Sequence, residues 1–148
     1  MNKQEIQSLI REQMLCRIAF KSAEYPYIAP FQYVYINGSI YFHFTDYGRK
    51  KKLIETDNRV CVEIESFRPD MSEYNFVVLR GRVKTVIDPV ERAAVINRMA
   101  NDGKEKVSAN FLAAHGFKKE DGWSSLSPER PLTILRFEVA EEIGLKSP

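Results

Sequence analysis

Residues 26–64 decide the fold, and they read PYIAPFQYVYINGSIYFHFTDYGRKKKLIETDNRVCVEI. Aromatic and β-branched residues crowd both sides of Asn37-Gly38, and these residue types favour a pleated, half-buried surface. Asn and Gly both tolerate positive φ, so the pair predicts a type I′ hairpin between two strands. Pro30 lies inside the first strand and cannot donate to a sheet ladder. It therefore marks an edge, a bulge or a place where the backbone faces something other than a strand.

The segment after the hairpin, residues 45–54 (TDYGRKKKLI), predicts a helix that begins with a cationic turn. Thr45 and Asp46 are capping residue types, and Gly48 lets the backbone approach a bound group closely. A helix N-terminus attracts anions through its free N–H groups and its dipole, so cations are unfavourable there. Two interpretations stay open: Arg49 and Lys50 hold a phosphate, or the run is a solvated basic turn.

The rest of the chain predicts a mainly β fold, a barrel with peripheral helices. Asn2 opens a short capped helix, Gly81 predicts a bulge in a long strand, and Asp88-Pro89 begins a second helix. We expect that helix to break at residues 101–103 and a further helix to run from about residue 106 to residue 115 and to end at Gly116. Outside the hairpin, the patterns predict strands over residues 16–20, 60–64, 76–87 and 133–139, which brings the total to six.

Composition indicates one ordinary soluble domain spanning residues 1–148. The chain is 44% hydrophobic and 28% charged, and 22 basic against 20 acidic residues leave a net charge of +2. That charge favours neither nucleic acid nor a membrane as a partner. There is no long apolar run and no signal-peptide pattern, which predicts a cytoplasmic protein. Cys16 and Cys61 lack metal-ligand spacing, so we expect free thiols and no metal site.

The order and spacing of these motifs resemble the FMN-binding split barrel of the pyridoxamine 5′-phosphate oxidase-like superfamily, and most closely its nitroimidazole-resistance branch. That branch carries a PYxxPxxYxxxxGxIYxHxxxxGRKxxxI-like signature. The matching residues are Pro26-Tyr27, Pro30, Tyr33, Gly38, Ile40-Tyr41, His43, Gly48-Arg49-Lys50 and Ile54. The resemblance covers roughly residues 14–145. It implies a six-stranded Greek-key FMN-binding split barrel and a homodimer with the flavin at the subunit interface.

The resemblance also implies the site residues. His43 takes the position of the signature histidine and is the candidate catalytic residue, with a plain packing role as the alternative. His115 precedes Gly116 and is expected to be a capping or surface residue. Tyr74 and Trp123, predicted in loops, are candidates to cover the flavin of a second subunit, with surface or core packing as the alternative for each. The other implied cofactor-binding residues are Ala29, Pro30, Phe31, Gln32, Tyr33, Val34, Phe44, Thr45, Gly48, Arg49 and Lys50.

The function implied is that of an FMN-dependent oxidoreductase acting on a small-molecule electron acceptor, either nitroreductase-like or related to pyridoxamine 5′-phosphate oxidase. The vitamin B6-binding side chains of the oxidases have no clear match, and Phe76 stands near the position of a family glutamine. Two alternatives remain: a non-catalytic flavin-binding or carrier protein, and an F420-dependent reductase on the same fold. The resemblance does not separate FMN from FAD or F420.

Overall fold

The computed structural model describes residues 1–148, and a closed six-stranded antiparallel barrel forms its centre. The order around the barrel is β1-β2-β3-β6-β5-β4, and β4 closes back onto β1. This confirms the mainly β, six-stranded prediction. The elements are α1 (Lys3–Glu12), β1 (Leu15–Phe20), β2 (Tyr27–Ile36), β3 (Ser39–Phe44), α2 (Arg49–Thr56), β4 (Arg59–Phe67), β5 (Tyr74–Thr85), α3 (Pro89–Lys106), β6 (Thr133–Lys146) and the 3₁₀ helices Ala109–His115, Lys119–Asp121 and Trp123–Ser125.

One side of the barrel is continuously hydrogen-bonded. Strand β5 pairs with β4 from Tyr74 to Arg82 and with β6 from Asn75 to Thr85. The register shifts between Arg80 and Gly81, which confirms the predicted bulge. A Cβ at residue 81 would collide with the carbonyl oxygen of Glu138, so only glycine allows the two strands to approach this closely.

The other side is split, because β2 divides its pairing between two neighbours. Residues 27–32 pair with β1, whereas residues 33–36 pair with β3. Beyond Phe42, strand β3 pairs only with β6. A wedge therefore opens between the first half of β2 and the end of β3, and Pro30 lies in the half of β2 that has a single partner strand. The hairpin that joins these strands has positive φ at Asn37 (50°) and Gly38 (83°), as predicted.

Apolar side chains fill the barrel interior. The rings of Phe31 and Phe44 stack with centroids 4.8 Å apart, and Phe20 meets Phe44 edge-on at 5.8 Å. Helix α1, with the predicted capping box between Asn2 and Glu5, contributes Ile6, Leu9 and Ile10 to the same cluster. A second apolar cluster lies outside the barrel, where α3 packs against β2, β3 and β6.

Three sequence-based boundaries were wrong. Helix α3 continues through residues 101–103 to Lys106, and Gly103 is buried in it against the Trp123 indole, where any Cβ would collide with the ring. The segment before Gly116 is a 3₁₀ helix that begins at Ala109, not at residue 106. Strand β6 extends to Lys146, since its second half pairs with the first half of β5. No helix has both the length and the apolar character needed to span a membrane.

Candidate functional site

The N-terminus of α2 is open and has no capping side chain. Gly48 is the N-cap residue with φ 95°, and a Cβ there would meet no atom within 4 Å. The first turn of α2 contains no acidic residue, and nearby Asp46 pairs with Lys51 at 3.1 Å. The Thr45 hydroxyl donates to the Tyr47 carbonyl at 2.8 Å, which leaves its oxygen available as an acceptor. The free N–H groups of the first turn therefore have no side-chain partner within the chain.

Two cations of this turn lie over aromatic rings of β2. The Arg49 guanidinium is 5.4 Å from the Tyr27 ring centroid, and the Lys50 ammonium is 4.7 Å from that of Phe31. Neither forms an ion pair with a carboxylate of the chain. Burial lowers the pKa of Lys50, because a half-buried ammonium without a counter-ion is destabilised. The geometry suits an anion that neutralises both cations.

A chain of hydrogen-bonded side chains crosses the split. Gln32 at the end of the β1-paired half of β2 and His43 of β3 are both buried, and His115 of the 3₁₀ helix connects them. His115 Nε2 is 2.8 Å from Gln32 Oε1, and the two histidine Nδ1 atoms are 3.2 Å apart. The amide nitrogen of Gln32 donates to the Met99 carbonyl of α3 at 3.4 Å. Side-chain hydrogen bonds thus replace the backbone ladder that β2 and β3 lack here.

Both histidines are neutral at physiological pH. Burial, followed by the positive charge that His115 can carry, lowers the pKa of His43 to about 3. Burial and then the nearby Lys50 charge lower the pKa of His115 to about 4. An imidazolium is disfavoured in this environment because it would lose hydration and face another cation.

The structure brings most predicted site residues to the split, but it turns several of their side chains away from it. Ala29, Phe31 and Phe44 face the barrel core, and the Tyr33 hydroxyl donates to the Ile10 carbonyl at 2.7 Å. Val34 belongs to the outer apolar cluster. Along β2, these residues can offer a ligand only their backbone groups. Of the residues expected at the site, Gln32 and His43 are buried, whereas Pro30, Thr45, Gly48, Arg49 and Lys50 are exposed or half-buried.

Tyr74 and Trp123 do not join this cluster within the chain. Tyr74 begins β5 rather than lying in a loop. It pairs with Phe67, the last residue of β4, which is eight residues (roughly 27 Å) from Arg59, the first residue of that strand. The Trp123 indole is buried against Gly103 and donates to the Val107 carbonyl at 3.1 Å. Its ring contacts His115 edge-on, with the ring centroids 5.7 Å apart, so it helps to hold that histidine in place.

His115 was predicted to be a capping or surface residue, and this was wrong. Its side chain is 6% exposed and forms hydrogen bonds with Gln32 and His43. A signal existed in the sequence, because Phe111 and Leu112 precede His115 by four and three residues and mark the apolar face of that segment. A position at the end of a helical segment, just before Gly116, does not by itself make a residue exposed.

Solved structures share this fold at low sequence identity. An FAD-binding protein from Mesorhizobium loti has a TM-score of 0.73 at 16% identity, covering 100% of this chain and 96% of its own. A candidate 5-nitroimidazole antibiotic resistance protein from Bacteroides thetaiotaomicron has a TM-score of 0.65 at 20% identity, covering 97% and 82%. A haem storage protein from Vibrio cholerae has a TM-score of 0.66 at 13% identity, covering 95% and 92%.

No curated protein matches the sequence. A family profile described as pyridoxamine 5′-phosphate oxidase, however, matches residues 2–130, which is most of the chain. The match includes the split, the α2 N-terminus and both histidines. The chain belongs to the pyridoxamine 5′-phosphate oxidase family.

Proposed function

We propose that this protein binds FMN in the split and acts as a flavin-dependent oxidoreductase on a small molecule. The observation that carries the proposal is the pair Arg49 and Lys50, two cations without a carboxylate partner at an uncapped helix N-terminus. Arginine can hold two phosphate oxygens at once, lysine adds a point charge, and the helix N–H groups bind anions. Thr45 and the open space above Gly48 complete a fitting phosphate site.

The isoalloxazine ring would lie along the first half of β2. Residues 27–32 have a partner strand on one side only, which leaves backbone groups on the other side for a ligand. The pyrimidine edge of a flavin alternates hydrogen-bond donors and acceptors, as a strand edge does, so the two are complementary. The buried Phe31 and Phe44 rings beneath this edge support its backbone.

A second copy of the chain would cover the flavin. The outer face of the barrel exposes apolar side chains on β2 and β6, including Ile28 at 61%, Ile143 at 49% and Leu145 at 59%. The pairing of neighbouring strands places Ile28, Ala19, Cys61 and Arg80 side by side in one row across the sheet. Val78 and Ile143 lie side by side in a second row. A cleft of about 770 Å³ opens beside the first row. Ile143→Asp should shift a dimer to monomer in sedimentation experiments, whereas Lys104→Asp on α3 should not.

When bound, the flavin supplies hydride or electron transfer to a small acceptor stacked on its ring. The chain anchors the phosphate, presents the strand edge and offers His43 at the split. Because His43 is neutral, it contributes a hydrogen bond rather than the proton of an imidazolium. Nitro compounds are the first acceptors to test, because one structural neighbour is described as a candidate 5-nitroimidazole resistance protein.

FMN titration of the purified protein tests the site. Arg49→Ala combined with Lys50→Ala should weaken FMN binding by about 2–4 kcal/mol, since hydrogen bonds to charged groups contribute roughly 1.5–3 kcal/mol each. Lys52→Ala, an exposed cation of the same helix, is the matched control and should leave the dissociation constant unchanged. Equal affinities for the wild type and the double variant would refute the proposed site.

A flavin carrier without turnover is the second candidate, favoured by the neutral state of His43. Steady-state oxidation of NADH or NADPH with nitroaromatic and quinone acceptors separates the two functions. Turnover above that of free FMN supports an oxidoreductase, and tight binding without turnover supports a carrier. The absorbance and fluorescence of the protein as purified distinguish FMN or FAD from F420, and chromatography of the released cofactor separates FMN from FAD.

A further inference from the structure

We propose that Gln32 and His115 are positioning residues that fix the ring tautomer of His43 and make its Nε2 a permanent hydrogen-bond acceptor at the split. The three side chains come from β2, the 3₁₀ helix Ala109–His115 and β3, and they are 3%, 6% and 5% exposed. Their arrangement depends on the contacts of 2.8 Å and 3.2 Å that link them. The tautomer forms without a ligand; the proposed flavin site enters only in what Nε2 then recognises.

The hydrogen bond between Gln32 and the Met99 carbonyl determines the direction of the two hydrogen bonds that follow it. The Gln32 amide nitrogen must face the Met99 carbonyl, because the opposite amide orientation would place two acceptors together. Gln32 Oε1 then accepts from His115, so His115 carries its proton on Nε2. A neutral His115 has only a lone pair on Nδ1, and His43 must donate its own Nδ1 proton to it. This leaves Nε2 of His43 with a lone pair.

That nitrogen reaches the surface although the ring is almost buried. Every buried side-chain nitrogen and oxygen in the structure has a hydrogen-bond partner. His43 Nε2 has none within the chain, since the only contact of the His43 side chain is through Nδ1. Nε2 is therefore open to whatever enters the split. His115 and Phe117 flank the His43 ring with centroids at 5.4 Å and 6.4 Å and hold its plane.

The surroundings keep the histidine pair neutral. Helix α2 contributes the Lys50 ammonium, whose positive charge acts on His115. Helix α3 contributes only the Met99 carbonyl, which accepts the hydrogen bond from Gln32. The 3₁₀ segments contribute the rings of Phe111 and Trp123, which meet His115 edge-on. No carboxylate faces the pair to stabilise an imidazolium. Lys50, which serves the proposed phosphate site, thus also disfavours protonation of His115.

Because His43 Nε2 can only accept a hydrogen bond, it favours ligands that place a donor group against it. The matching ligand is a flat heterocycle that presents a ring N–H at this point, as flavins do on their pyrimidine edge. A ring that presents only carbonyl oxygens or unprotonated nitrogens there would leave two lone pairs facing each other, which costs binding free energy. His43, positioned by Gln32 and His115, is in this way a specificity-determining residue.

Nitrogen-15 NMR of the ligand-free protein at neutral pH tests the tautomer directly. The chain contains two histidines, so the spectrum contains only two pairs of ring nitrogens. We expect protonated, pyrrole-type Nδ1 and unprotonated, pyridine-type Nε2 in His43, and the reverse pattern in His115. The Nε2–H tautomer in both rings, or averaged shifts in His43, would overturn the proposal without any mutation.

Two substitutions at residue 115 form a matched pair. His115→Asn keeps a side-chain acceptor near the position of Nδ1, and His43 should retain its pattern. His115→Leu removes the acceptor, and the His43 nitrogens should move to averaged shifts. Gln32→Met should release His115 in the same way. An unchanged His43 spectrum in His115→Leu and Gln32→Met would show that these residues do not position it.

Addition of FMN separates this inference from the proposed function. If FMN binds, His43 Nε2 should shift as it accepts a hydrogen bond but remain unprotonated, and a change to the pyrrole type would overturn the acceptor role. If FMN does not bind, the proposed function fails, while the spectrum of the ligand-free protein still decides whether the tautomer is fixed.

Discussion

The two sides of this barrel use different means to hold their strands together. On the β4–β5–β6 side, backbone ladders run without interruption apart from the bulge at Gly81. On the β2–β3 side the ladder stops after Tyr33 and Phe42, and side chains span the wedge. The apolar interior is shared by both sides, whereas three of the four buried polar side chains, Gln32, His43 and His115, lie at the split.

The difference explains where a ligand can bind. A closed ladder leaves no backbone group free for a small molecule, so the β4–β5–β6 side offers a ligand no strand edge. At the split, a strand edge, a helix N-terminus and two cations lie together without an internal partner. Each of these features is unfavourable in an isolated chain, and all three become favourable when an anion joined to a flat ring is present.

Leu79→Ala should lower the free energy of unfolding more than the other changes predicted below. This effect should be confined to the closed side of the barrel. Leu79 is fully buried on β5, and removing such a side chain leaves a cavity that lowers the free energy of unfolding by about 2–5 kcal/mol. Urea unfolding followed by circular dichroism measures the loss. FMN affinity at low urea should remain unchanged, because the split is untouched. Val78→Ala, on the outward face, is the control and should cost less than about 1 kcal/mol.

Lowering the pH should first reduce the free energy of unfolding through the two histidines at the split. Folding lowers the pKa of His43 and His115, so the unfolded chain binds more protons, and the free energy of unfolding falls as pH drops below about 6.5. Between about pH 7 and pH 5 the loss should approach roughly 2 kcal/mol for each histidine. Urea midpoints across this range measure it. His115→Leu should halve the dependence, and a flat wild-type profile contradicts the buried neutral pair.

Gly103→Ala tests the packing of Trp123 between Gly103 and His115. An added methyl group collides with the Trp123 indole, and such overpacking typically costs about 1–3 kcal/mol, partly offset by the better helix propensity of alanine. Trp123 is the only tryptophan, so its fluorescence reports displacement of the ring directly. Lys104→Ala, on the exposed face of the same helix, should leave both stability and emission unchanged.

The closed side was largely predictable from the sequence. Alternating apolar residues encode its strands locally, and Gly81 marks its own bulge. On the split side, the Asn37-Gly38 pair encodes the β2–β3 hairpin in the same local way. The end of β6 was missed because residues 140–146 carry charged and apolar residues that are all exposed or half-exposed. Their strand conformation comes from pairing with β5 and not from a buried face. Likewise α3 runs through Gly103, which packs against Trp123, a residue distant in sequence.

The split was predictable in its motifs but not in its contacts. Thr45, Gly48, Arg49 and Lys50 form one contiguous run, so their role could be inferred from residue chemistry. The Gln32–His115 contact joins residues 83 positions apart and depends on how a 3₁₀ helix folds over the wedge. A single sequence carries no local pattern for such a pair, which is why His43 was recognised and its partner was not.

Lys50→Met should have the smallest effect on stability and would separate stability from binding. The substitution removes a cation–π contact with Phe31, worth about 0.5–1 kcal/mol, and also removes the burial of an ammonium that has no counter-ion. These contributions oppose each other, so the free energy of unfolding without ligand should change by no more than about 0.5 kcal/mol. FMN affinity should nevertheless fall, because the phosphate loses a charge. Parallel urea and FMN titrations measure both quantities, and a large loss of stability would mean that Lys50 serves the fold rather than the ligand.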